Sequence, residues 1–425
     1  MQIRIENLGP VKEARITTKP ITVLFGPNNT GKTYVTYAIW GVINTIIEDS
    51  SMKIDAAEMR DLIAKGVYNY KLSNDEKRKI IRNRVDTFAH EIHKIFNCEK
   101  DTFKDVKIEV DPDEFLKDKP ATSAIAKINI GKTNTLEVRH QNQSIVLTSN
   151  SESPLEIPEY ILADIVGQFI ARVNIHADIA RVFAITSERT GAALFYKNAD
   201  YNKSEIIDYI LRTKKINPID ILKQTVPRYS LPIQKNIDFI RDYDEVSKKT
   251  SFIFADKEKY ADFIAALNGL MQGHFSAVND VIMYHSANQP DGIPIHLSSS
   301  SLKSLFVLDS YLKHEIREGD MLFIDEPEQN LSPKNQVNIA QLIALLPKIG
   351  INVFITTHSD YIAREFNIEI FKYHSNPEEG LKPDDVALYL MTDDEIVKPI
   401  AISDNGFDVS IFDEEISSQL NRAQM

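Results

Sequence analysis

Eight consecutive residues, Gly26-Pro27-Asn28-Asn29-Thr30-Gly31-Lys32-Thr33, carry the most specific chemistry in this sequence. They fit G-x-x-x-x-G-K-[ST] at every fixed position. The glycines let the backbone turn so that N–H groups from Asn28, Asn29, Thr30 and Gly31 can point at phosphate oxygens. A helix starting just after them adds its positive end. Lys32 can reach the β- and γ-phosphates, and the Thr33 hydroxyl can ligate Mg²⁺. The chain holds only 15 glycines in 425 residues, below average usage, so a chance match is rarer than in an ordinary chain. The ligands this loop predicts are ATP and Mg²⁺.

Two further sites end apolar runs. Met321-Leu322-Phe323-Ile324 runs into Asp325-Glu326. Beside a phosphate loop, Asp325 can organise Mg²⁺, and Glu326 can act as base toward the attacking water. Without a phosphate loop, the same residues would read as a strand entering a solvated acidic turn, EPEQN. Val353-Phe354-Ile355 leads to Thr356-Thr357-His358-Ser359. A histidine at such a strand end can bind the γ-phosphate and position water. A lone histidine is more often a satisfied core or surface residue; here the strand type and its distance after the carboxylate pair favour the site.

The elements that must position these residues alternate between strand and helix at both ends of the chain. Ile21–Phe25 reads as a buried strand stopping at Gly26-Pro27, and Thr33 to Ile47 as a buried helix. Strands MLFID and NVFITT flank a helix ending near Leu346. Residues 56–96 read as charged and helical. KIEV, AKINI, TLEV and SIVLT read as an antiparallel sheet, and 203–270 as amphipathic helices cut by prolines. DVIMYHSANQPDGIPIHL reads as a hairpin with its turn at Asp291-Gly292, and VALYLM to PIAI as an edge hairpin before a short C-terminal helix. The predicted organisation is one α/β nucleotide-binding core assembled from both chain ends: 1–48 with the phosphate loop, a helical segment 49–102, an antiparallel β subdomain 103–150, a return to the core 151–195, an inserted helical lobe 196–272, and the closing part of the core 273–425.

Composition narrows the class. The chain is 43% hydrophobic and 26% charged with a net charge of −12, which argues against a protein coated by nucleic acid. No apolar run approaches the ~18–20 residues of a membrane span. The polar N-terminus lacks a secretory signal. A single cysteine, Cys98, excludes a disulfide framework or a multi-cysteine zinc site. The expected location is cytoplasmic.

Leu297-Ser298-Ser299-Ser300-Ser301-Leu302-Lys303-Ser304 precedes a helix. Small hydroxylated residues there are either an anion site or a simple N-cap, and the residues alone favour the cap. The order of the motifs points further. GPNNTGKT, a long insertion, LSSSSLKS, LFIDEPEQNLSP and ITTHSD resemble the ABC-type (SMC/RecF-like) AAA-family ATPases. The likeness is greatest to the prokaryotic OLD-like branch, and the opening IENLGPVKEARI is similar too. It is strong at both chain ends and weak from about 50 to 275. It implies an ABC-type P-loop NTPase head that forms a homodimer with two ATPs between the heads. Ser299, with Ser300 and Ser301, would contact the γ-phosphate held by the other head. Serines stand where this family's LSGGQ has glycines, which implies slow turnover. Leu331-Ser332-Pro333 matches the segment that touches the opposite subunit. SERTG resembles an Arg-bearing motif of the OLD-type branch, so Arg189 would either sit near the nucleotide or bridge lobes; a structural salt bridge is the competing reading.

Two functions remain. In the first, the chain is an ATP-dependent switch of a prokaryotic anti-phage defence complex, with a separate protein effector or sensor. Sixty-seven residues follow His358, without the acidic motifs of a TOPRIM nuclease domain. In the second, it is a DNA-binding repair or maintenance ATPase, contacting nucleic acid through Lys71, Lys77, Arg78, Lys79, Arg82 and Arg84 or through Arg212, Lys214, Lys215, Lys223 and Arg228. Such runs are usually solvated helix faces. A transporter ATPase fits poorly without a strict LSGGQ, and a small-molecule kinase fits poorly because the carboxylate pair and histidine favour water as acceptor.

Overall fold

The computed structural model describes residues 1–48, 54–65, 67–69, 72–116, 125–130, 134–141, 144–149, 158–174, 179–196, 229–403 and 406–410. A nine-stranded sheet organises the chain. Its order is Lys107–Val110, Gln2–Leu8, Val11–Thr17, Ile396–Ile400, Val386–Met391, Ile21–Phe25, Asn352–Thr357, Met321–Asp325 and Val182–Ile185. The last five run parallel to one another. Strands of a parallel sheet covered on both faces should read as continuous apolar runs. ITVLF and MLFID do, and all ten of their residues are buried.

Alternate side chains of these strands enter two cores. Ile21, Val23 and Phe25 join Leu322, Ile324, Val353 and Ile355 on one face, against the helices Ser300–His314, Pro333–Leu345 and Asp360–Ser375. Leu24, Phe323 and Phe354 join the other, against the helix Lys32–Glu48 and its fully buried Trp40. The strands that line both cores come from both ends of the chain.

Several elements differ from the sequence reading. KIEV (Lys107–Val110) pairs antiparallel with Gln2–Leu8 at the edge of the large sheet. The separate four-stranded sheet contains Val67–Asn69, Ser144–Ser149, Asn134–Gln141 and Ile125–Ile130. The pair Val386–Met391 and Ile396–Ile400 lies inside the large sheet, because Val386–Met391 pairs parallel with the phosphate-loop strand. In the three-stranded sheet, strands Val281–Ser286 and Gln289–Pro294 turn at Ala287-Asn288. Gly292, with φ of +79°, instead lies opposite a register shift between Tyr284 and Ser286; glycine suits such a bulge as well as it suits a turn. The expected C-terminal helix falls outside the described residues.

Val182–Ile185 is the edge strand nearest the site. Asn236 closes its end: the Thr186 N–H donates to Asn236 Oδ1 at 3.0 Å, and Asn236 Nδ2 donates to the Ala184 carbonyl. Asn236 is fully buried, so its amide substitutes for a neighbouring strand. Asn236→Leu is expected to lower stability by about 1–3 kcal/mol, since both backbone groups lose their partner in a water-free place. Urea denaturation checks this; an unchanged midpoint would show that the edge has another partner.

Candidate nucleotide-hydrolysis site

The phosphate loop leaves Phe25 and closes into the helix at Lys32. Gly26 has φ of +154° and Gly31 φ of +98°. A Cβ on Gly31 would lie 2.6 Å from Val11 Cγ2, and one on Gly26 would lie 2.9 Å from Met391 Cβ. Both positions thus demand glycine for backbone angle and for space. Asn29 also takes a left-handed φ of +64°, which asparagine tolerates better than most residues. Asn28 and Asn29 are exposed, and Thr30 Oγ1 donates to the Pro27 carbonyl at 2.8 Å. Lys32 is only 6% exposed and donates to the carbonyls of Gly26 at 2.9 Å and Pro27 at 2.7 Å. Burial lowers its pKa, and Glu326, Asp325 and Glu328 pull it back up.

Parallel register brings the acidic strand to this loop. Thr357 pairs with Phe25, and Asp325 with Thr356. The three strands therefore end level, and the residues just past them share one edge of the sheet. Thr33 Oγ1 donates to Asp325 Oδ2 at 3.0 Å across 292 residues of sequence, while Thr356 Oγ1 donates to Oδ1. Burial raises the pKa of Asp325, and the Thr356 and Thr33 hydroxyls oppose that shift.

Glu326 takes a left-handed φ of +50°, which costs a non-glycine residue about 1 kcal/mol or more. Its N–H donates to the Thr356 carbonyl at 3.1 Å. Its carboxylate Oε1 lies 3.6 Å from His358 Nδ1, a charge contact longer than a good hydrogen bond. The His358 ring holds Glu326 below its ordinary pKa against the effect of burial, and Glu326 raises that of His358. His358 Nδ1 also lies 3.3 Å from Glu328 Oε1.

Arg189 is 2% exposed and donates only to backbone carbonyls: Ser304 at 2.9 Å, Thr186 at 3.0 Å, Asp325 at 2.7 Å and Glu326 at 2.6 Å. Burial pushes its pKa down to about 10, which leaves it charged at neutral pH. No ion pair of Arg189 occurs among the described residues, so the salt-bridge reading is replaced by a carbonyl clamp. The clamp ties the strained turn at Asp325-Glu326 to the helix that follows the serine run. Ser304 Oγ reinforces the tie by donating to the Gln329 carbonyl at 2.8 Å.

Phosphate loop, Asp325, Glu326 and His358 are thus together; the serine turn is not joined to them. Ser299 caps the helix through Leu302 N at 3.3 Å and meets Ser301 Oγ at 2.9 Å. Ser299 and Ser300 are exposed. Among the described residues, no polar contact links Ser299, Ser300 or Ser301 to the phosphate loop. Of the first basic cluster, Arg78 pairs with Asp75 and Asp113, and Arg84 is buried on the Ile46 carbonyl. Lys71 and the second cluster lie outside the described residues. Two site residues escaped the sequence reading. Thr356 stood inside a quoted strand with no sign that its hydroxyl would face Asp325. Glu328 stood in EPEQN, where its spacing two residues after Glu326 was the only signal.

With that geometry established, the sequence profile of the AAA ATPase domain matches residues 1–363. The chain belongs to the AAA ATPase domain family. Among solved structures, this ATPase is similar to an Smc head domain with an extended coiled coil, bound to the C-terminal domain of ScpA, from Pyrococcus furiosus. The identity is 14%, the coverage 100% of this chain and 99% of that one, and the TM-score 0.33. The SMC head domain from Thermotoga maritima is 11% identical over 95% of this chain and 98% of that one, at a TM-score of 0.30. The SmcHead bound to the C-winged helix domain of ScpA is 13% identical over 95% and 97%, at 0.33. No curated protein matches the ATPase. No helix among its described residues is long and apolar enough to cross a membrane.

Two outcomes follow from this geometry. Arg189→Lys replaces a planar five-donor fork with one ammonium that cannot span four carbonyls. It is expected to destabilise the protein by about 2–3 kcal/mol, measurable by urea denaturation; a wild-type midpoint would refute the clamp. The Glu326–His358 contact should also stabilise the fold in a bounded pH window. Its Glu326 share is lost as pH falls below the ordinary glutamate value of 4.5, and its His358 share is lost as pH rises above the ordinary histidine value of 6.5. His358 is 43% exposed, so the effect is well under 1 kcal/mol. The stability difference between wild type and His358→Ala should be larger at pH 5.5 than at pH 8.5; a difference that grows with pH would contradict the assigned shifts.

Proposed function

We propose that this ATPase hydrolyses ATP slowly and works as a switch that closes into a homodimer around nucleotide. The observation that carries the hydrolytic part is the junction of Thr33, Asp325, Glu326 and His358 at the level ends of three parallel strands. In this reading Lys32 leaves the loop carbonyls to meet the β- and γ-phosphates, and the N–H groups of Asn28 to Thr33 cradle them. Thr33 and Asp325 would hold Mg²⁺. A hydroxyl and one carboxylate, with phosphate oxygens completing the set, are the donors this cation prefers. There it would neutralise charge on the phosphates.

Glu326 is the base. It is half-buried, held below its ordinary pKa and so ionised at neutral pH. The attacking water gives it a proton as its oxygen bonds to the γ-phosphorus and the bond from that phosphorus to the β–γ bridging oxygen breaks, leaving ADP and phosphate. His358 contacts the γ-phosphate. The serine turn supports the dimeric part: Ser299 caps its own helix, no polar contact joins Ser299, Ser300 or Ser301 to the phosphate loop among the described residues, and Ser299 and Ser300 stand exposed as a contact for a second head. Arg189 joins that helix to the turn carrying Glu326, so closure on the serines can be felt at the base.

The biological setting we favour is a prokaryotic anti-phage defence complex in which a separate protein effector or sensor reads the switch. Its support is the likeness of GPNNTGKT, LFIDEPEQNLSP and SERTG to the OLD-like branch. A DNA-binding role draws less support, because Arg78 and Arg84 are engaged within the protein.

Glu326→Gln is expected to lower ATP turnover by about 10²–10⁴-fold while leaving ATP binding intact, and to shift the protein to a dimer by size-exclusion chromatography with ATP and Mg²⁺. Wild-type turnover in the variant would remove Glu326 as base; a monomer with ATP bound would remove the closing switch.

A further inference from the structure

Glu328 has no part in the steps above, yet it is the most unusual carboxylate near them. It is 5% exposed. One of its oxygens, Oε1, receives the Thr357 hydroxyl at 2.7 Å and the His358 backbone N–H at 2.9 Å, and lies 3.3 Å from the His358 ring Nδ1. The other, Oε2, is buried without a hydrogen bond among the described residues. Burying a carboxylate with one bare oxygen carries a desolvation cost that its two hydrogen bonds offset only in part.

We infer that Glu328 is a positioning residue that fixes both the backbone and the ring of His358, so that Nε2 is the ring nitrogen presented to the γ-phosphate. The inference rests on the reading of His358 as a γ-phosphate contact. Carboxylate and phosphate oxygens only accept hydrogen bonds, so Nδ1 carries a proton where it faces Glu328 and Glu326, and Nε2 must gain one to donate to the γ-phosphate. Pro327 fixes the short link between these two carboxylates. Glu326 alone could orient the ring in the resting site. Its hold weakens once it takes the water's proton, because its charge is then gone and it becomes a weaker acceptor. Glu328 receives no proton in that step and keeps its hold. The division of labour leaves Glu326 free to face water.

Imidazole ¹⁵N spectra of the nucleotide-free protein test this directly, with His358 assigned by the signal lost in His358→Ala. In wild type His358 should show Nδ1 protonated. In Glu328→Ala the neutral ring should shift toward the Nε2-protonated form that free imidazole side chains favour, and kcat should fall about tenfold with the ATP Kd within twofold of wild type. In a His358→Ala background the same Glu328 change should cost less than twofold. Glu328→Gln keeps an accepting oxygen for Thr357 and for the His358 N–H, and should recover part of the loss; it also serves if the alanine variant does not fold. An unchanged tautomer, or an equal loss of kcat in both backgrounds, would overturn the inference. If His358→Ala alone leaves kcat unchanged, the γ-phosphate role of His358 fails, while the tautomer still decides whether Glu328 holds the ring.

Discussion

The contact on which this structure depends is the pair of hydroxyls, Thr33 and Thr356, that meet the buried carboxylate of Asp325. Three separate stretches of chain converge there. Burying a carboxylate costs several kcal/mol unless its oxygens are satisfied, and here each oxygen has a hydroxyl. The three parallel strands must end in register for those hydroxyls to reach. That register in turn requires apolar strands packed on both faces, and so requires the two cores.

Once the strands are level, the rest of the site follows with little freedom. Glu326 is the first residue past the strand and is bent into a left-handed backbone. That bend is costly by itself and is held by hydrogen bonds from Arg189 to the carbonyls of Asp325 and Glu326. The same guanidinium reaches the serine helix through Ser304. A buried arginine with four carbonyl partners has few alternative arrangements, so the serine helix and Glu326 should move as one body. In the proposed function this link would carry closure at the serine turn to Glu326.

Which residues would gather at the candidate site was more legible in the sequence than how the strands pair. The phosphate loop, Asp325-Glu326 and His358 were legible because each ends an apolar run and each needs particular residue types at fixed spacing. Strand pairing was less legible, since pairing depends on partners distant in sequence. KIEV has the same short alternating pattern whether it joins a small sheet or edges a large one. Asp291-Gly292 carries the composition of a turn, but glycine at positive φ serves a bulge equally. Arg189 was visible as part of SERTG, whereas its carbonyl partners, being backbone, leave no trace in residue types. Glu328 looked like one more solvated acid because burial is decided by Thr357 and His358 arriving from another strand.

Calorimetric titration with ATP, with and without Mg²⁺, of wild type and Asp325→Asn tests the central claim most directly. The claim is that the phosphate loop and the acidic strand end form one Mg²⁺–ATP site. In wild type Mg²⁺ should tighten ATP binding, and in Asp325→Asn that enhancement should disappear while metal-free binding persists. An Asp325→Asn protein that still gains the full Mg²⁺ enhancement would contradict the account.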